Sequence, residues 1–338
     1  MKTKTIAGLI GAIVTIALLS WVLKDVAFAD VWQSARQANW LYLSIAVALA
    51  TLSFAVRVPR WQILLHNDDG TTIPPLPLWH GIAIGFMANN LIPFRAGEVL
   101  RAIAINRLAK AGVASALSSL VAERLFDGIT IIALMFVGLL TAGIPATAEI
   151  NGFPVATLAG RLAIAPAILL LACIATLAFP ELAKRIVRAV IPSPKFVERL
   201  SQFIDGIRAG LGALTSPTRV LGAAGWSIVH WLNNALAFYV AFKAFGIDVS
   251  FGGALLMQSL LVVLIAVPST PGYFGVFESG IKAVLIVFGV DANTAVAYAL
   301  TFHITTFIPI TVLGLWSLSR TPITLTAASE APSPPASR

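Results

Sequence analysis

Apolar residues in this chain gather into stretches long enough to cross a lipid bilayer, and polar residues collect between them. A helix needs roughly 20 apolar residues to traverse the hydrocarbon layer. Six uninterrupted stretches meet that need, near residues 5–23, 40–57, 113–142, 159–179, 219–244 and 293–318. Two further stretches, 79–107 and 251–289, are as apolar but are broken near the middle by proline, glycine and charge. Backbone groups freed from a helix at membrane depth must be buried in protein or line a wet cavity. The pattern therefore predicts an all-α polytopic membrane protein with six full spans and two re-entrant helical hairpins, two short tilted spans being the alternative to each hairpin.

Composition narrows the class. Of 338 residues, 58% are hydrophobic and 11% charged, a balance that excludes a soluble globular domain. The net charge of +8 comes from basic residues flanking the spans rather than interleaved with aromatics on a polar domain, so topology and anionic lipid heads account for it and nucleic acid does not. Lys2 and Lys4 open an apolar core that Lys24 and Asp25 close, as in an uncleaved first helix. The single cysteine, Cys173, permits neither an intrachain disulfide nor a cysteine-rich metal site. No Walker loop, nucleophile elbow, metal-type histidine pair or dinucleotide fingerprint is present, so no cofactor and no metal are expected. His66-Asn67-Asp68-Asp69, followed by Gly70, reads as a turn rather than a divalent-ion site.

Orientation follows from lysine and arginine. Residues 180–220 carry Lys184, Arg185, Arg188, Lys195, Arg199, Arg208 and Arg219, whereas the loop 143–158 carries none. The first region is then cytoplasmic and the second external. Crossing parity returns the hairpin at 79–107 to the cytoplasmic side, makes the hairpin at 251–289 dip from outside, and leaves both termini cytoplasmic. Residues 1–39 form the first helix and an external loop, 40–142 and 219–320 are two copies of a span-hairpin-span unit of opposite sense, and 143–218 is a connecting span plus an amphipathic cytoplasmic segment. That is an inverted-topology repeat. The segment 181–214 alternates Leu182, Ile186 and Val190 with basic residues and is expected to lie along the interface. The tail 321–338, rich in alanine, serine, proline and threonine, is expected to be disordered.

Candidate chemistry concentrates at the two elbows. The first carries Asn90, Pro93, Arg95, Gly97, Glu98 and Arg101, and the next span carries Glu123, Arg124 and Asp127. Glu123 and Asp127, four apart, share one helix face, and charges on a spanning helix should face the bundle interior. Arginine donates two parallel hydrogen bonds to a phosphate and stays charged when desolvated. Arg95 and Arg101 are therefore expected to clamp a lipid phosphate, with Glu98, Glu123 and Asp127 holding the guanidinium groups in place. The competing reading is a closed salt-bridge network that only fixes the fold. Arg107 and Lys110 are read as cytoplasmic flank charges. The second elbow carries Pro268, Pro271, Gly272 and Gly275, with Glu278 opening the returning half-helix, whose free amides are candidates to receive an anion. His230, Asn233, Asn234 and His303 are polar residues in apolar spans, suited to interhelical hydrogen bonds or to lining a pathway.

These residues give the chain a family likeness. With Asn90-Leu-Ile-Pro93-Phe-Arg95-Ala-Gly97-Glu98 and Arg101, Glu123-Arg124-Leu-Phe-Asp127, and Pro271-Gly272 with Gly275 and Glu278, residues 5–320 resemble the flippase-like transmembrane family, the membrane module of lysylphosphatidylglycerol synthases that also occurs alone in bacteria. The resemblance implies two re-entrant hairpins and translocation of lipid between leaflets. The synthases carry a cytosolic aminoacyl-transferase domain after this module, and only the short tail follows here, so aminoacyl-lipid synthesis is not expected. Stand-alone relatives accompany hopanoid and glycolipid pathways, so the cargo implied is a lipid or lipid-linked molecule with an anionic or glycosylated head, such as a phospholipid or hopanoid. The leading function is a flippase of the bacterial inner membrane that hydrolyses no ATP itself. The alternatives are a lipid-modifying transferase using Glu123 or Asp127 as base, and a scaffold of a lipid-synthesis complex docked through the basic amphipathic segment. Expected partners are membrane lipids, with a second copy of the chain or a lipid-biosynthesis protein as further candidates.

The charge asymmetry makes one direct prediction. Single cysteines placed at Ala148 and Ser193 will be labelled by impermeant reagent from opposite faces, external and cytoplasmic respectively. Labelling from one face would overturn the span count and the inverted repeat together.

Overall fold

The computed structural model describes residues 27–323, apart from 68–69, 93–95, 145–148, 151–152, 267–270 and much of 155–178 and 192–215. The first helix expected at 5–23, most of the span at 159–179 with Cys173, the residues Pro93, Arg95 and Pro268, and the tail from 324 lie outside the described residues. Ten helices are described: α1 Phe28–Gln37, α2 Trp40–Leu64, α3 Pro75–Leu91, α4 Ala96–Ala109, α5 Val113–Thr141, α6 Pro180–Val190, α7 Pro217–Ala244, α8 Phe251–Ala266, α9 Val276–Val287 and α10 Ala292–Ser319. Two-residue strands, β1 Glu149–Ile150 and β2 Phe153–Pro154, pair antiparallel in the loop expected to be external.

The fold is helical, and α2, α5 and α10 are long and apolar enough to cross a membrane. Their ends are set by local chemistry. Asn39 starts α2 by accepting from the amides of Leu41 and Tyr42, and Asp291 starts α10 by accepting from that of Thr294. Proline sits in the first turn of α3, α6 and α7, where its missing donor costs no helical hydrogen bond. The span expected to stop at 57 runs on to Leu64, across Pro59, because the polar residues in its extension find partners inside the protein. The hairpin expected at 79–107 is wider, spanning α3 and α4.

Both broken stretches are pairs of helices packed antiparallel. In the first, the backbone of Gly97 lies against the carbonyl of Gly85, so close that a side chain at 97 would collide with it, and Asn89 Oδ1 accepts from the Gly97 amide at 2.9 Å. In the second, Gly280 packs on Leu261 and Leu264, and Gly253 on Phe288.

The helices associate in a reciprocal way. α2 runs antiparallel to α7: Gly222 meets Ile63, and Asn233 Nδ2 donates to the Leu49 carbonyl at 2.8 Å. The first helix of each hairpin packs on the long helix that ends the other half, α3 on α10 and α8 on α5. Each of those contacts closes over a glycine of the long helix, Gly314 against Ala83 and Met87, Gly138 against Gly252 and Leu256. One core gathers Phe54, Trp61, Leu78, Ile82 and Leu120 and takes Ala223 from α7. The other gathers Phe242, Met257, Ile281 and Tyr298 and takes Leu43 and Ala46 from α2. Large apolar side chains outside these cores, including Ile129, Phe136 and Leu140 on α5 and Ile304, Ile308 and Val312 on α10, are exposed, as a hydrocarbon solvent allows.

The glycine contacts are testable by a paired substitution. Gly97→Ala should lower the thermal midpoint of the detergent-solubilised protein, since its methyl group must displace the Gly85 backbone, at a cost of about 1–3 kcal/mol or more. Gly225→Ala, with open space around it in mid-helix, should be neutral or stabilising by about 0.5–1 kcal/mol. Equal effects would mean that the Gly85–Gly97 approach does not hold the hairpin.

Candidate functional site: an arginine–carboxylate centre

Charged residues of α2, α4 and α5 converge on one point inside the bundle, and α7 closes it. Three-residue spacing puts Arg57 and Arg60 on one face of α2, and four-residue spacing does the same for Glu123 and Asp127 on α5. Glu123 is fully buried. Its carboxylate meets Arg57 Nη1 at 3.2 Å, Arg60 Nη2 at 2.9 Å and the two Nη atoms of Arg101 at 3.1 and 2.9 Å, the last a fork of parallel bonds. Asp127 Oδ1 accepts from Arg60 Nη1 at 2.6 Å and Trp231 Nε1 at 2.8 Å, and Asp127 Oδ2 accepts from Arg124 Nη1 at 3.2 Å. Arg60 also donates to Ser227 Oγ of α7 at 3.2 Å. Aromatic faces complete the walls, with Arg101 lying 3.8 Å over Trp61 and Arg57 4.7 Å over Phe86.

The centre is closed on most sides and open on one. Arg57, Arg60, Arg101, Glu123 and Asp127 are buried, whereas the side chains of Arg124 and Glu98 keep 40% and 33% of their surface exposed and meet at 3.3 Å. Among the described residues, Arg57, Arg60, Arg101 and Arg124 stand against Glu98, Glu123 and Asp127, four cations to three anions, which leaves one positive charge in excess. Arg124 is itself bridged to Glu98, Glu123 and Asp127, at 3.3, 3.6 and 3.2 Å, so the four guanidinium groups share the excess, and Arg124 is the one of them that solvent reaches.

This arrangement changes the assignment of the arginines. Arg101, expected to present its fork to a phosphate, uses that fork on Glu123. Arg95 lies outside the described residues. Arg57 and Arg60 were not singled out from the sequence, since Arg60 falls in what counts as the cytoplasmic flank; the readable signal was their three-residue spacing beside the four-residue spacing of the two acids. Nothing in the sequence points to Ser227 and Trp231, which belong to a helix a hundred residues away. Asn90 donates to Thr311 Oγ1 of α10 at 3.0 Å, a bond between the halves.

The second elbow builds a separate polar pair. Gly272 and Gly275 adopt φ of 64° and 88°, and Tyr273 between them has φ of 62°, so the chain from Pro271 turns through the left-handed region that glycine enters freely. Glu278, fully buried, accepts from the Gly275 amide at 2.7 Å through Oε2 and meets His303 Nδ1 of α10 at 2.6 Å through Oε1. The amide expected to receive an anion is thus capped by the chain's own carboxylate. The turn packs on α3, with the Tyr273 phenol within electrostatic reach of Arg124. His230, fully buried, bonds to Asn234 at 3.1 Å within the electrostatic reach of Arg57 and Arg60.

His66 and Thr72 pair as an isolated antiparallel bridge, and the Asn67 amide donates to the Thr71 carbonyl; Asp68 and Asp69 lie outside the described residues. Burial first, and then the charge of Arg219, hold the pKa of His66 below its ordinary value. Among the described residues no group of histidine, cysteine or carboxylate side chains is arranged to hold a metal ion. A cavity of about 520 Å³ at the other end of α7 and α8, lined by Tyr239, Lys243, Asp248 and Ser250, contains none of the residues of the arginine centre.

Residues 8–314 match the lysylphosphatidylglycerol synthase TM region. The chain belongs to that family. Its relatives include a UPF0104 membrane protein of Methanothermobacter thermautotrophicus, 25% identical over 317 residues with 88% of each chain covered. A UPF0104 membrane protein of Pyrococcus horikoshii is 24% identical over 298 residues, covering 82% of this chain and 86% of that one. No solved structure matches the chain. Family membership and the apolar helices together make this a membrane protein.

The geometry separates the two glutamates by consequence. Glu123→Gln strips the anion from three buried guanidinium groups and should cost about 3–5 kcal/mol, read as a large loss of folded protein in detergent. Glu98→Gln breaks a half-exposed pair and should cost no more than about 1 kcal/mol. Equal losses would contradict a centre that is sealed at Glu123 and open at Glu98.

Proposed function

We propose that the protein moves a lipid or lipid-linked molecule between the leaflets of a plasma membrane, and that the polar head enters the arginine centre at Arg124. The observation that carries this reading is the partly exposed side chain of Arg124 at the edge of a centre whose other arginines are buried and whose described charges leave one positive charge in excess. An anionic, phosphate-bearing head matches a planar fork of donors, and three carboxylates hold that fork in place before the head arrives. A glycosylated phospholipid meets the same requirement.

The fold supports transport in a second way. Exchanging α2 with α7, α3 with α8, α4 with α9 and α5 with α10 leaves the pattern of contacts among these eight helices unchanged. The exchanged partners α2 and α7 run antiparallel, so the axis relating the halves lies across the helices rather than along them, which is the relation of an inverted repeat. In this reading both hairpins are re-entrant, one from each side. A transferase reading finds less support, because Glu123 and Asp127 are engaged by guanidinium donors and closed to solvent and so offer no free base to a substrate.

The test is a leaflet-exchange assay in proteoliposomes with fluorescent lipids bearing phosphate, sugar or uncharged heads. Wild-type protein should accelerate exchange of the phosphate-bearing lipid. Arg124→Lys keeps the charge and loses the fork, and should slow that exchange about tenfold, the value of one charge-assisted pair of bonds, with little change in thermal midpoint. Exchange no faster than in empty vesicles for every lipid would overturn the reading.

A further inference from the structure

The cavity at the far end of α7 shares no residue with the arginine centre. Four helix ends enclose it, the C-termini of α5, α7 and α9 and the N-terminus of α8. It holds about 520 Å³, room for a small polar head rather than for a single ion. Gly143 and Gly289 follow α5 and α9 at φ of 71° and 77°, and no atom lies within 4 Å of where a side chain at either would begin, so bare backbone forms part of the wall. The Ser250 hydroxyl donates to the Ala142 carbonyl and accepts from the Gly253 amide, both at 3.2 Å, which ties the start of α8 to the end of α5 and holds the wall in shape.

Lys243 supplies the charge. Its ammonium belongs to the last turn of α7, where the end of the helix favours a cation, and it lies 5.1 Å over the Tyr239 ring. Among the described residues its one ion-pair partner is Asp248, at 3.6 Å, too far for a hydrogen bond. The Asp248 side chain is fully exposed and that of Lys243 is 37% exposed, so the carboxylate can turn to water while the ammonium stays against the wall. Neither Lys243 Nζ nor Tyr239 Oη makes a hydrogen bond among the described residues, and both side chains line the cavity. Two donors thus stand ready for an acceptor.

Depth decides what can reach them. Trp231 lies in the arginine centre at the middle of α7, and Lys243 follows three turns later, about 18 Å away at 1.5 Å per residue. Half of the hydrocarbon layer is about 15 Å. A centre at mid-bilayer therefore puts Lys243 at the level of lipid heads, on the face that the lysine and arginine asymmetry reads as external. Leu140 of α5 and Ile286 of α9, just before Ala142 and Val287 of the wall, are exposed and offer an apolar flank to acyl chains.

We propose that the cavity is a second head-group site, in which the phosphate ester of a lipid replaces Asp248 beside Lys243 and accepts a hydrogen bond from Tyr239. One anion is exchanged for another, so the charge around Lys243 is kept. The ammonium is a point charge that accepts a phosphate in many orientations, whereas the arginine centre presents planar forks. Its place in a path from Arg124 to the opposite leaflet rests on the transport reading above; the binding does not.

Lys243 reports its own occupancy. In dodecyl maltoside, whose head carries no phosphate, acetylation of Lys243 by a water-soluble succinimidyl ester is followed by peptide mass spectrometry, with the exposed Lys110 as reference. Dioctanoyl phosphatidylglycerol at ten times its dissociation constant leaves about a tenth of the sites free and should slow the reaction about tenfold. Dioctanoylglycerol, which lacks phosphate, should leave the rate unchanged, and sn-glycerol 3-phosphate at the lipid's concentration should protect less. No slowing by phosphatidylglycerol overturns the site, equal protection by dioctanoylglycerol overturns phosphate recognition, and equal protection by glycerol 3-phosphate overturns a lipid as the source. Asp248→Asn removes the competing anion from an exposed position and should lower the lipid concentration for half protection by up to about fivefold. A value that stays or rises overturns the exchange of anions. Leaflet exchange in proteoliposomes then tests the path, since Lys243→Gln should slow it for the phosphate-bearing lipid. Unchanged exchange in that variant, with Lys243 protected in the wild type, removes the site from the path and leaves the binding standing.

Discussion

A carboxylate at the centre of a membrane bundle, met by three guanidinium groups, organises this structure. Isolated ions at that depth are costly, and Glu123 resolves the cost by bringing Arg57, Arg60 and Arg101 from two other helices to one point. Each arginine fixes the rotation of the helix that carries it. α2 must show its Arg57–Arg60 face to α5, and α4 must show Arg101, which in turn dictates which faces of those helices meet lipid. Asp127 extends the constraint to α7 through Trp231 and Ser227. The centre therefore fixes helix orientation and also holds Arg124 where solvent reaches it. Such networks need not add net stability, and their value here is in specifying one arrangement of four helices.

The two elbows solve one problem by different means. A break in a helix at membrane depth leaves backbone groups needing partners. At the first elbow Asn89 supplies one, taking the Gly97 amide, and the glycine pair lets the two half-helices touch along their backbones. At the second elbow Glu278 takes the Gly275 amide, and a charge used as a cap must itself be answered, which brings in His303. One elbow is tied with a neutral side chain within its own hairpin, and the other with a carboxylate that also reaches a separate helix.

The long helices α2, α5, α7 and α10 were legible in the sequence, because hydrocarbon imposes length and purity on the helices it accepts. The two breaks were legible for the same reason, as places where purity fails. Glu98, Arg101, Glu123, Arg124 and Asp127 were found as charges inside apolar runs, and the structure brings all five together. The partners that decide their roles were less legible. Arg60 follows Pro59 at the end of an apolar run, where an arginine ordinarily marks the membrane surface, and only the helical continuation to Leu64 reveals that it points inward. The pairing of Glu278 with His303 joins residues 25 positions apart on separate helices, and no local spacing announces such a bond.

The sharing of residues between halves has a consequence for the order in which the chain is made. α2 and α5 leave the ribosome long before α7, yet Asp127 depends on the indole of Trp231, and Arg60 on the hydroxyl of Ser227. Each core likewise takes residues from the first helix of the other half, Ala223 in one case, Leu43 and Ala46 in the other. The early half must therefore wait in the membrane with an unfinished charge centre and an open seam along α2. Whatever receives the nascent chain has to shelter that seam for the time it takes to synthesise a hundred further residues, so biogenesis of this protein is a problem of timing as well as of insertion.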